Sequence, residues 1–552
     1  MTRVSLAAIL GCVVATISLL GQQPVGLQPD QVFYNGKIVT VDPGNSVHEA
    51  FAVKGDRFLA TGTTAAVRAL AGPQTVMVDL NGRTVVPGLI DSHAHAWRNA
   101  FRNLRGVDLT GIKSLPELSD RIRSAAGTAP GNRTVYATGN WTEAQLLEKR
   151  APTRAELDAI VSNRPLVVFS GQASGGAGER RAFLNTAALR AARITRETAT
   201  VYGARNSVPK GPDGEPTGAI VGSTPFPVMT VAARLIPIED VRALWLQAQR
   251  ELTAQGFTSI REPQVPTEIM RLYWSLRREG QLTMRVSMGI DVGAGQADEL
   301  DDILRPWGVG PGFGNHWLRF DSLGEFAVDG SGLIDSTPAL FRRGILTIHR
   351  HGWRPAPHIG SEDKYLDQAL EAYEAADRER PIRDERWIVE HVPQTRPDQM
   401  DRLARLGVTA VMNLAGYRET GTLIKTYGQA RAERIVPVRE MLDHRVNVVF
   451  GSDWSDGPNN PFVPFYYYTT RKTEEGAVLG PAQAISRPEA LRLLTVNPAY
   501  LTFEETLKGS IEPGKLADFV ILSQDVLTVA DDRIRATQAL ETYVGGRRVF
   551  AK

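Results

Sequence analysis

Residues 85–95 read Val85-Val86-Pro87-Gly88-Leu89-Ile90-Asp91-Ser92-His93-Ala94-His95, an apolar run that ends in two histidines one residue apart. The apolar part predicts a buried β-strand. Side chains two residues apart in an extended segment point to the same side, so His93 and His95 are placed to hold one metal ion together. This stretch therefore predicts a strand that carries metal ligands at its carboxyl end.

Short β-type runs alternate with helical patterns after this first strand. The further predicted strands are Thr258 to Ile260, Met284 to Ile290, Glu325 to Val328, Ile345 to Ile348, Trp387 to Val389, Thr409 to Met412 and Val446 to Phe450. The clearest predicted helices are Asp240 to Gln255, Lys364 to Asp377 and Pro397 to Leu406. Eight strands alternating with helices predict an α/β fold, a (β/α)8 barrel of the TIM type.

The two ends of the chain show a different pattern, in which short apolar runs are separated by turn signals such as Asn35-Gly36. We expect residues 29–86 and 505–552 to form one composite β-sandwich domain. The barrel domain then covers residues 87–504, with an insertion at about 98–237 that is too long for a barrel crossover and is expected over the barrel mouth.

Composition excludes several classes of protein. The 552 residues are 42% hydrophobic, which is typical of a globular chain with a large core. Lys and Arg number 63 against 61 Asp and Glu, and no basic run carries interleaved aromatic residues, so nucleic acid is not an expected partner. Since Cys12 is the single cysteine, a cysteine nucleophile, a thiolate zinc site and an internal disulfide are excluded.

The N-terminus predicts export. Arg3 precedes an apolar run from Val4 to Leu20, which indicates a signal peptide over residues 1–22 and a periplasmic or secreted protein. A retained membrane anchor and a lipoprotein processed at Cys12 are the alternatives. No later run is long enough to span a bilayer, so no other membrane contact is expected.

Metal ligands recur where other predicted strands end. Glu325 lies in the fourth strand, and His349, His391 and Asp453 follow the fifth, sixth and eighth strands. Barrel enzymes carry their catalytic groups at the carboxyl ends of the strands. Imidazole and carboxylate together suit a divalent cation, so these positions predict a metal centre inside the barrel.

The motifs around these positions resemble the amidohydrolase superfamily, and most closely its amidohydrolase-3 branch, which contains YtcJ-like proteins and N-substituted formamide deformylase. The resemblance rests on residues 82–95 together with Asp213 to Gly218 (DGEPTG), Glu390-His391, Gly451-Ser452-Asp453 and Gly509 to Asp518 (GSIEPGKLAD). It covers essentially the whole chain beyond the signal segment.

This resemblance implies a metal-dependent enzyme with two divalent ions. His93, His95 and Asp453 would hold one ion, and His349 and His391 the other. Glu325 stands where the family often has a carboxylated lysine, and is read as a direct bridge between the ions. Zinc is the expected metal, with manganese or iron fitting the same ligands.

The implied reaction is hydrolysis of a carbon–nitrogen bond in a non-peptide amide or cyclic amide. A metal-activated hydroxide would attack a small-molecule substrate, with Asp453 as general base. Hydrolysis of another ester or lactone, or deamination, would use the same site. A secreted binding protein on a decayed hydrolase scaffold is the alternative from another class, and metal content would distinguish it.

The substrate-binding part departs from the family pattern. The family usually continues as H-x-x-G-D after the strand-five histidine, whereas this chain reads His349-Arg350-His351-Gly352-Trp353. Weaker substrate-binding candidates are Trp141, His351, Arg434 and Trp454. His358, like His351, is read first as a solvated loop histidine. The sequence does not identify the substrate, and it leaves open whether the chain forms a homo-oligomer.

Overall fold

The computed structural model describes residues 28–100, 106–128, 133–139, 141–170, 180–201, 206–222, 235, 238–292, 297–327, 337–360, 362–418, 420–453 and 460–552. The signal peptide predicted at residues 1–22 and the candidate Trp454 lie outside these ranges. Within them, no helix combines the length and the apolar character needed to cross a membrane.

The N-terminal segment is rich in short strands. They are β1 (Gln31–Tyr34), β2 (Lys37–Val39), β3 (Val47–His48), β4 (Ala50–Lys54), β5 (Arg57–Gly62), β6 (Val76–Asp79), β7 (Thr84–Pro87) and β8 (Leu89–Asp91). Helices cover Thr64–Arg68 and Ala96–Ala100. The predicted first strand is therefore two strands, β7 and β8, separated by Gly88. A Cβ at Gly88 would lie 2.1 Å from the Thr258 hydroxyl oxygen, so a larger residue would clash there.

The predicted insertion has a sheet of its own. Its strands are β9 (Val107–Asp108), β10 (Val135–Thr138), β11 (Leu166–Ser170), β12 (Arg180–Leu184), β13 (Thr200–Val201), β14 (Asn206–Ser207) and β15 (Ala219–Gly222). They pair in the order β13-β14-β15-β12-β11-β10-β9. Helices Leu115–Thr128, Arg154–Ile160 and Thr186–Ala191 and the short 3-10 turn Glu143–Gln145 accompany this sheet.

The central region alternates strands and helices. Its strands are β16 (Phe257–Val265), β17 (Arg285–Ile290), β18 (Leu318–Leu323), β19 (Ile388–Glu390), β20 (Thr409–Met412) and β21 (Asn447–Phe450). Its helices are Ile238–Ala254, Thr267–Arg278, Ala297–Leu304, Pro338–Arg350, Asp363–Glu379, Pro397–Leu406, Thr420–Tyr427, Gln429–Ala432 and Val438–Asp443, with a 3-10 turn at Arg383–Glu385. The parallel sheets run β18-β17-β16-β8 and β19-β20-β21.

An extended segment at residues 354–359 joins these two sheets. On one side the Ala356 amide donates to the Leu323 carbonyl at 3.1 Å, at the end of β18. On the other side the Ile359 amide donates to the Glu390 carbonyl at 3.0 Å, at the end of β19. The Ser92 amide donates to the Phe450 carbonyl at 3.0 Å and closes the circuit between β8 and β21. Eight segments therefore form a hydrogen-bonded ring.

Two of the eight predicted strands are wrong. Ile345 to Ile348 lie in the helix Pro338–Arg350, which begins after the N-cap Thr337 and buries Phe341, Ile345 and Ile348 on one face. The helical spacing of these apolar residues prevails over the short β-branched run. The fourth strand ends at Leu323, so Glu325 follows it rather than belonging to it, and Val328 lies outside the described residues.

The predicted helices are confirmed. Lys364 to Asp377 fall within Asp363–Glu379, which buries Leu366, Leu370 and Tyr373 on one face. Pro397–Leu406 has the predicted bounds, with proline in its first turn and Gly407 as its C-cap. Gly407 has φ 68°, and a Cβ there would lie 2.4 Å from the Arg383 carbonyl oxygen, so glycine suits this position on both counts.

Strands from the two ends of the chain pair with one another. After helices Phe462–Thr470, Arg487–Arg492 and Val496–Leu501 come β22 (Phe519–Leu522), β23 (Ala539–Val544) and β24 (Arg547–Ala551), with 3-10 turns at Pro481–Gln483 and Asp531–Ala536. The sheets run β24-β23-β22-β7-β2-β3 and β5-β4-β1-β6. Phe33 stacks on Phe51 at 4.8 Å, and Phe519 stacks on Tyr543 at 4.4 Å, within one buried cluster drawn from both ends.

Candidate metal centre

One buried carboxylate holds the two turns that follow β8 and β21. Asp91 accepts hydrogen bonds at Oδ1 from the amides of His93, at 3.1 Å, and Ser452, at 3.0 Å. Burial raises the pKa of Asp91 to about 6. Gly451 allows the turns to approach, because a Cβ there would lie 2.4 Å from that of His93. The histidine pair and Asp453, 358 positions beyond His95 in the sequence, thus meet at one end of the ring.

The first group of polar atoms in the centre comes from these two turns. The Nε2 atoms of His93 and His95 are 3.2 Å apart. Asp453 Oδ1 lies 3.3 Å from Nε2 of His95 and 3.6 Å from Nε2 of His93. The three residues can therefore offer one ligand atom each to a single ion.

Glu325 lies between this group and a second one. Its Oε2 is 3.2 Å from Nε2 of His95. Its Oε1 is 3.2 Å from Nε2 of His391 and 2.6 Å from Nδ1 of His358. One carboxylate oxygen thus faces His95 and the other faces His358 and His391, with His93 Nε2 3.7 Å from Oε1, so Glu325 has imidazoles on both sides, as a bridging ligand needs.

His358 occupies the position that the sequence assigned to His349. His358 is the penultimate residue of the segment 354–359, and its ring centroid lies 4.6 Å from that of His391. His349 lies in the helix Pro338–Arg350, with Nδ1 3.4 Å from the Arg380 guanidinium and its ring against Trp387. The prediction of His349 as a member of the centre is wrong, because its segment folds as a helix outside the ring.

A local signal for the fifth segment was present in the sequence. Pro355 and Pro357 each disfavour the helical conformation for the residue before them, so Arg354 and Ala356 are biased towards extended backbone. Gly352, with φ 74°, follows directly after the end of the preceding helix. The segment lacks alternating apolar residues, which is why the periodicity did not reveal it as a strand.

Two residues of the centre adopt left-handed backbone. His391 has φ 57° and Asp453 has φ 54°, although neither is glycine. This conformation costs of the order of 1–3 kcal/mol for a non-glycine residue and persists where surrounding contacts enforce it. The His391 amide donates to the Val411 carbonyl at 3.2 Å and the Asp453 amide to the His93 carbonyl at 2.8 Å. These bonds direct both side chains to the centre.

Opposite charges offset the cost of burial within the centre. Burial opposes protonation of His93, but the carboxylates of Glu390 and Glu325 outweigh it and hold the pKa of His93 well above its usual range. Burial likewise opposes ionisation of Glu325, yet His93 and the hydrogen bond from His358 hold the pKa of Glu325 well below its usual range. Glu325 is therefore ionised, as a metal-binding carboxylate must be.

Buried charged side chains support the histidines from behind. Glu390 Oε2 lies 2.7 Å from Nδ1 of His93, and Glu390 Oε1 accepts from Arg261 at 2.6 Å. Arg261 also donates to Asp321 at 2.5 Å, and Asp321 in turn accepts from Arg354. Carboxylates that hold the second ring nitrogen of a histidine orient it for metal binding. Sequence analysis identified Glu390 as part of a motif but assigned it no role.

The donor set fits a divalent metal ion. Four imidazoles and two carboxylates converge, and their types are those that zinc and related ions prefer. Glu325 Oε2 is buried and accepts no hydrogen bond from the described residues, although a buried carboxylate oxygen ordinarily has a partner. We therefore regard His93, His95, Glu325, His358, His391 and Asp453 as the candidate metal centre.

Three of the weaker substrate-binding candidates contact residues outside the candidate metal centre. Trp141 is fully buried in the core of the insertion and donates from Nε1 to the Phe169 carbonyl at 2.8 Å. His351 Nε2 lies 2.7 Å from Asp301 at the end of the helix Pro338–Arg350. Arg434 forms an ion pair with Glu440. Each of the three side chains thus has at least one polar contact with a neighbour outside the centre.

Comparison with known proteins places the chain in a family. Residues 76–550 match the model of the Amidohydrolase family, Amidohydro_3. The chain belongs to the amidohydrolase family. It is an enzyme, a hydrolase acting on carbon–nitrogen bonds other than peptide bonds, and the family resemblance seen in the sequence is confirmed.

Relatives and solved structures agree with this membership. N-substituted formamide deformylase of Arthrobacter pascens is 28% identical over 94% of this chain and 97% of its own length. YtcJ of Bacillus subtilis strain 168 is 21% identical over 94% of this chain and 99% of its own. An uncharacterized metal-dependent hydrolase of Pyrococcus horikoshii OT3 superposes with a TM-score of 0.67 at 22% identity, covering 91% of this chain and 99% of its own. The superposition with the Pyrococcus horikoshii hydrolase establishes a shared fold.

Proposed function

We propose that this amidohydrolase is an exported enzyme that uses two divalent ions to hydrolyse the carbon–nitrogen bond of a non-peptide amide or cyclic amide. The observation that carries the proposal is the position of Glu325, whose two carboxylate oxygens face His95 on one side and His358 and His391 on the other. A single bridging carboxylate between two imidazole groups is suited to a pair of ions.

The residues divide into two ligand groups in this proposal. His93, His95 and Asp453 would hold one ion, and His358 and His391 the other, with Glu325 shared. Bound ions would lower the pKa of a water molecule and polarise the substrate carbonyl. Zinc is the expected metal because the ligands are mostly imidazole, and manganese or iron suit the same set.

Asp453 is the proposed general base. It has 29% of its side chain exposed, whereas His93, His95 and Glu325 have at most 2%. Burial opposes its ionisation, but the neighbouring imidazoles of His391, His93 and His95 hold the pKa of Asp453 well below its usual range. An ionised, partly open carboxylate supports transfer of a proton from the attacking water to the leaving nitrogen.

We extend the proposal to the architecture and location. The hydrogen-bonded ring of eight segments supports a (β/α)8 barrel within residues 87–504, with the insertion at about 98–237. The sheets that combine both chain ends support a β-sandwich domain from residues 29–86 and 505–552. Export rests on the apolar run after Arg3, with removal of residues 1–22 giving a periplasmic or secreted enzyme.

Elemental analysis of the purified mature protein tests the two-ion proposal. We would compare wild type with Glu325→Ala and with Glu379→Ala, a control on the outer helix Asp363–Glu379 whose carboxylate pairs with Arg350. Hydrolysis of a panel of N-acyl and N-formyl amines, with an ester and a lactone beside them, would be measured on the same samples.

About two ions per chain in wild type and in the control, with loss of both metal and amide hydrolysis in Glu325→Ala, is the expected result. A single ion in wild type would contradict the bridging role of Glu325. Absence of metal from protein prepared with zinc present would contradict the metal-dependent mechanism, and faster hydrolysis of the ester or lactone would contradict the assignment to an amide.

A further inference from the structure

Glu262 is a buried acidic residue that the proposed mechanism does not use. It lies in β16 and is closed to solvent. Its Oε1 accepts a hydrogen bond from the Trp97 amide at 2.7 Å, and its Oε2 accepts one from the Tyr273 hydroxyl. Trp97 is two positions beyond His95, so this carboxylate is bonded to the backbone that directly follows the histidine pair.

β16 makes two more contacts with the same stretch of chain. The Trp97 indole donates to the Gln264 carbonyl at 2.6 Å, and the Trp97 side chain is buried. Before His95, the Ala94 amide donates to the Arg261 carbonyl at 2.9 Å. The strand therefore holds the backbone on both sides of His95.

His95 depends on this backbone more than His93 or His391 does. Nδ1 of His93 lies 2.7 Å from Glu390, and Nδ1 of His391 lies 2.9 Å from the Asn413 amide. Such partners fix the orientation of a metal-binding imidazole. Nδ1 of His95 makes no hydrogen bond to the residues that the structure describes, and the polar contacts of its ring are through Nε2. The main chain therefore has a larger part in placing this ring.

An acidic residue at position 262 is explained by the backbone that it holds. Burial raises the pKa of Glu262 to about 8, although the Tyr273 hydroxyl and the amides of Trp97 and Ala96 act in the opposite direction. An apolar side chain would avoid this cost of desolvation, but it would leave the buried Trp97 amide without its acceptor.

We propose that Glu262 is a positioning residue, which holds His95 in place for the ion that His95 and Asp453 would share. Nε2 of His95 lies 3.3 Å from Asp453 Oδ1 and 3.2 Å from Glu325 Oε2. Ligands must be held to within about 0.5 Å of the productive geometry, so a small shift of the backbone after His95 weakens this ion. The proposal rests on the two-ion centre proposed above and deepens it.

Zinc affinity of substituted proteins tests this role without reference to turnover. Glu262→Leu removes every acceptor from the side chain, whereas Glu262→Gln keeps an oxygen for the Trp97 amide. Tyr273→Phe is the matched control, because it removes another hydrogen bond of the same carboxylate and leaves the bond to the backbone in place.

Each substitution would be made in wild type and in His358→Ala, in which the ion on the His95 side of Glu325 is the one expected to remain. Dissociation constants for zinc would be measured by competition with a chromogenic chelator. Circular dichroism would establish that each protein is folded.

We expect Glu262→Leu to weaken the ion that remains in His358→Ala by about 10–100-fold, and Glu262→Gln and Tyr273→Phe to stay within about threefold of the parent protein. Glu262→Asp, whose carboxylate is one methylene shorter, should give an intermediate loss and serves if the leucine variant does not fold. Unchanged affinity in Glu262→Leu and Glu262→Asp, or an equal loss in Glu262→Gln or Tyr273→Phe, overturns the proposal.

Failure of the two-ion proposal would be seen separately. If wild type holds a single ion, the two-ion centre is wrong. A loss of affinity for that ion in Glu262→Leu that glutamine restores would still support the positioning role, and no loss would overturn it.

Discussion

Replacement of His358 by alanine removes one of the two imidazoles on the far side of Glu325. His358 Nδ1 and His391 Nε2 approach the same oxygen, Glu325 Oε1, at 2.6 and 3.2 Å, so the second ion would keep two protein donors instead of three. Loss of a partner that merely orients a ligand weakens metal binding by roughly 10–100-fold. Loss of the donor itself should cost at least about 100-fold.

His349→Ala is the matched comparison, since it removes the histidine that the sequence favoured. The ring of His349 contacts Trp387 and Arg380, and neither residue belongs to the candidate metal centre. We expect unchanged metal content and a loss of about 1–3 kcal/mol in the free energy of unfolding, because a buried side chain is truncated.

Zinc affinity would be measured by competition with a chromogenic chelator, and metal content by elemental analysis after dialysis. His358→Ala should retain about one ion per chain under conditions in which wild type and His349→Ala retain two. The reasoning would be refuted if His349→Ala lost an ion while His358→Ala kept both.

Three further predictions concern residues around the centre. Arg261→Met removes the cation that the buried carboxylates of Glu390 and Asp321 share, leaving only His93 beside the first and Arg354 beside the second, and should lower the free energy of unfolding in urea by about 3–5 kcal/mol; a loss below about 1 kcal/mol would contradict the importance of this network. Burial raises the pKa of Glu262 from its ordinary 4.5 to about 8, so between these pH values the unfolded chain releases a proton that the folded chain keeps. Glu262 should therefore lower the free energy of unfolding with rising pH by up to about 5 kcal/mol over this range, and the fall measured in urea melts between pH 5 and pH 8 should be smaller in Glu262→Gln than in wild type by the contribution of Glu262. Asn413→Ala removes the amide 2.9 Å from Nδ1 of His391 and should weaken zinc binding about 10–100-fold in the chelator assay, whereas an unchanged affinity would show that the amide does not orient the ring.

Local patterns in the sequence were sufficient for much of the fold and for most of the centre. His93 and His95 follow an apolar strand directly, and strands β20 and β21 and the helix Pro397–Leu406 have strong local signals in composition and caps. In each case the residues that determine the structure are neighbours in the chain. Their positions at predicted strands indicated Glu325, His391 and Asp453, and the structure brings all three to the histidine pair.

The fifth segment of the ring was decided by tertiary contacts. Residues 354–359 contain two prolines and no alternating apolar pattern, and they are held extended by hydrogen bonds to Leu323 and Glu390, which lie in other segments. The more strongly patterned residues just before them fold as a helix because Phe341, Ile345 and Ile348 share one buried face.

The sequence by itself therefore determined which kinds of ligand the centre uses, an HxH pair with further histidines and carboxylates. Only the tertiary structure decided that His358 joins the centre in place of His349. The physical reason is that backbone pairing between distant segments sets where each side chain points, and no short-range periodicity records that pairing.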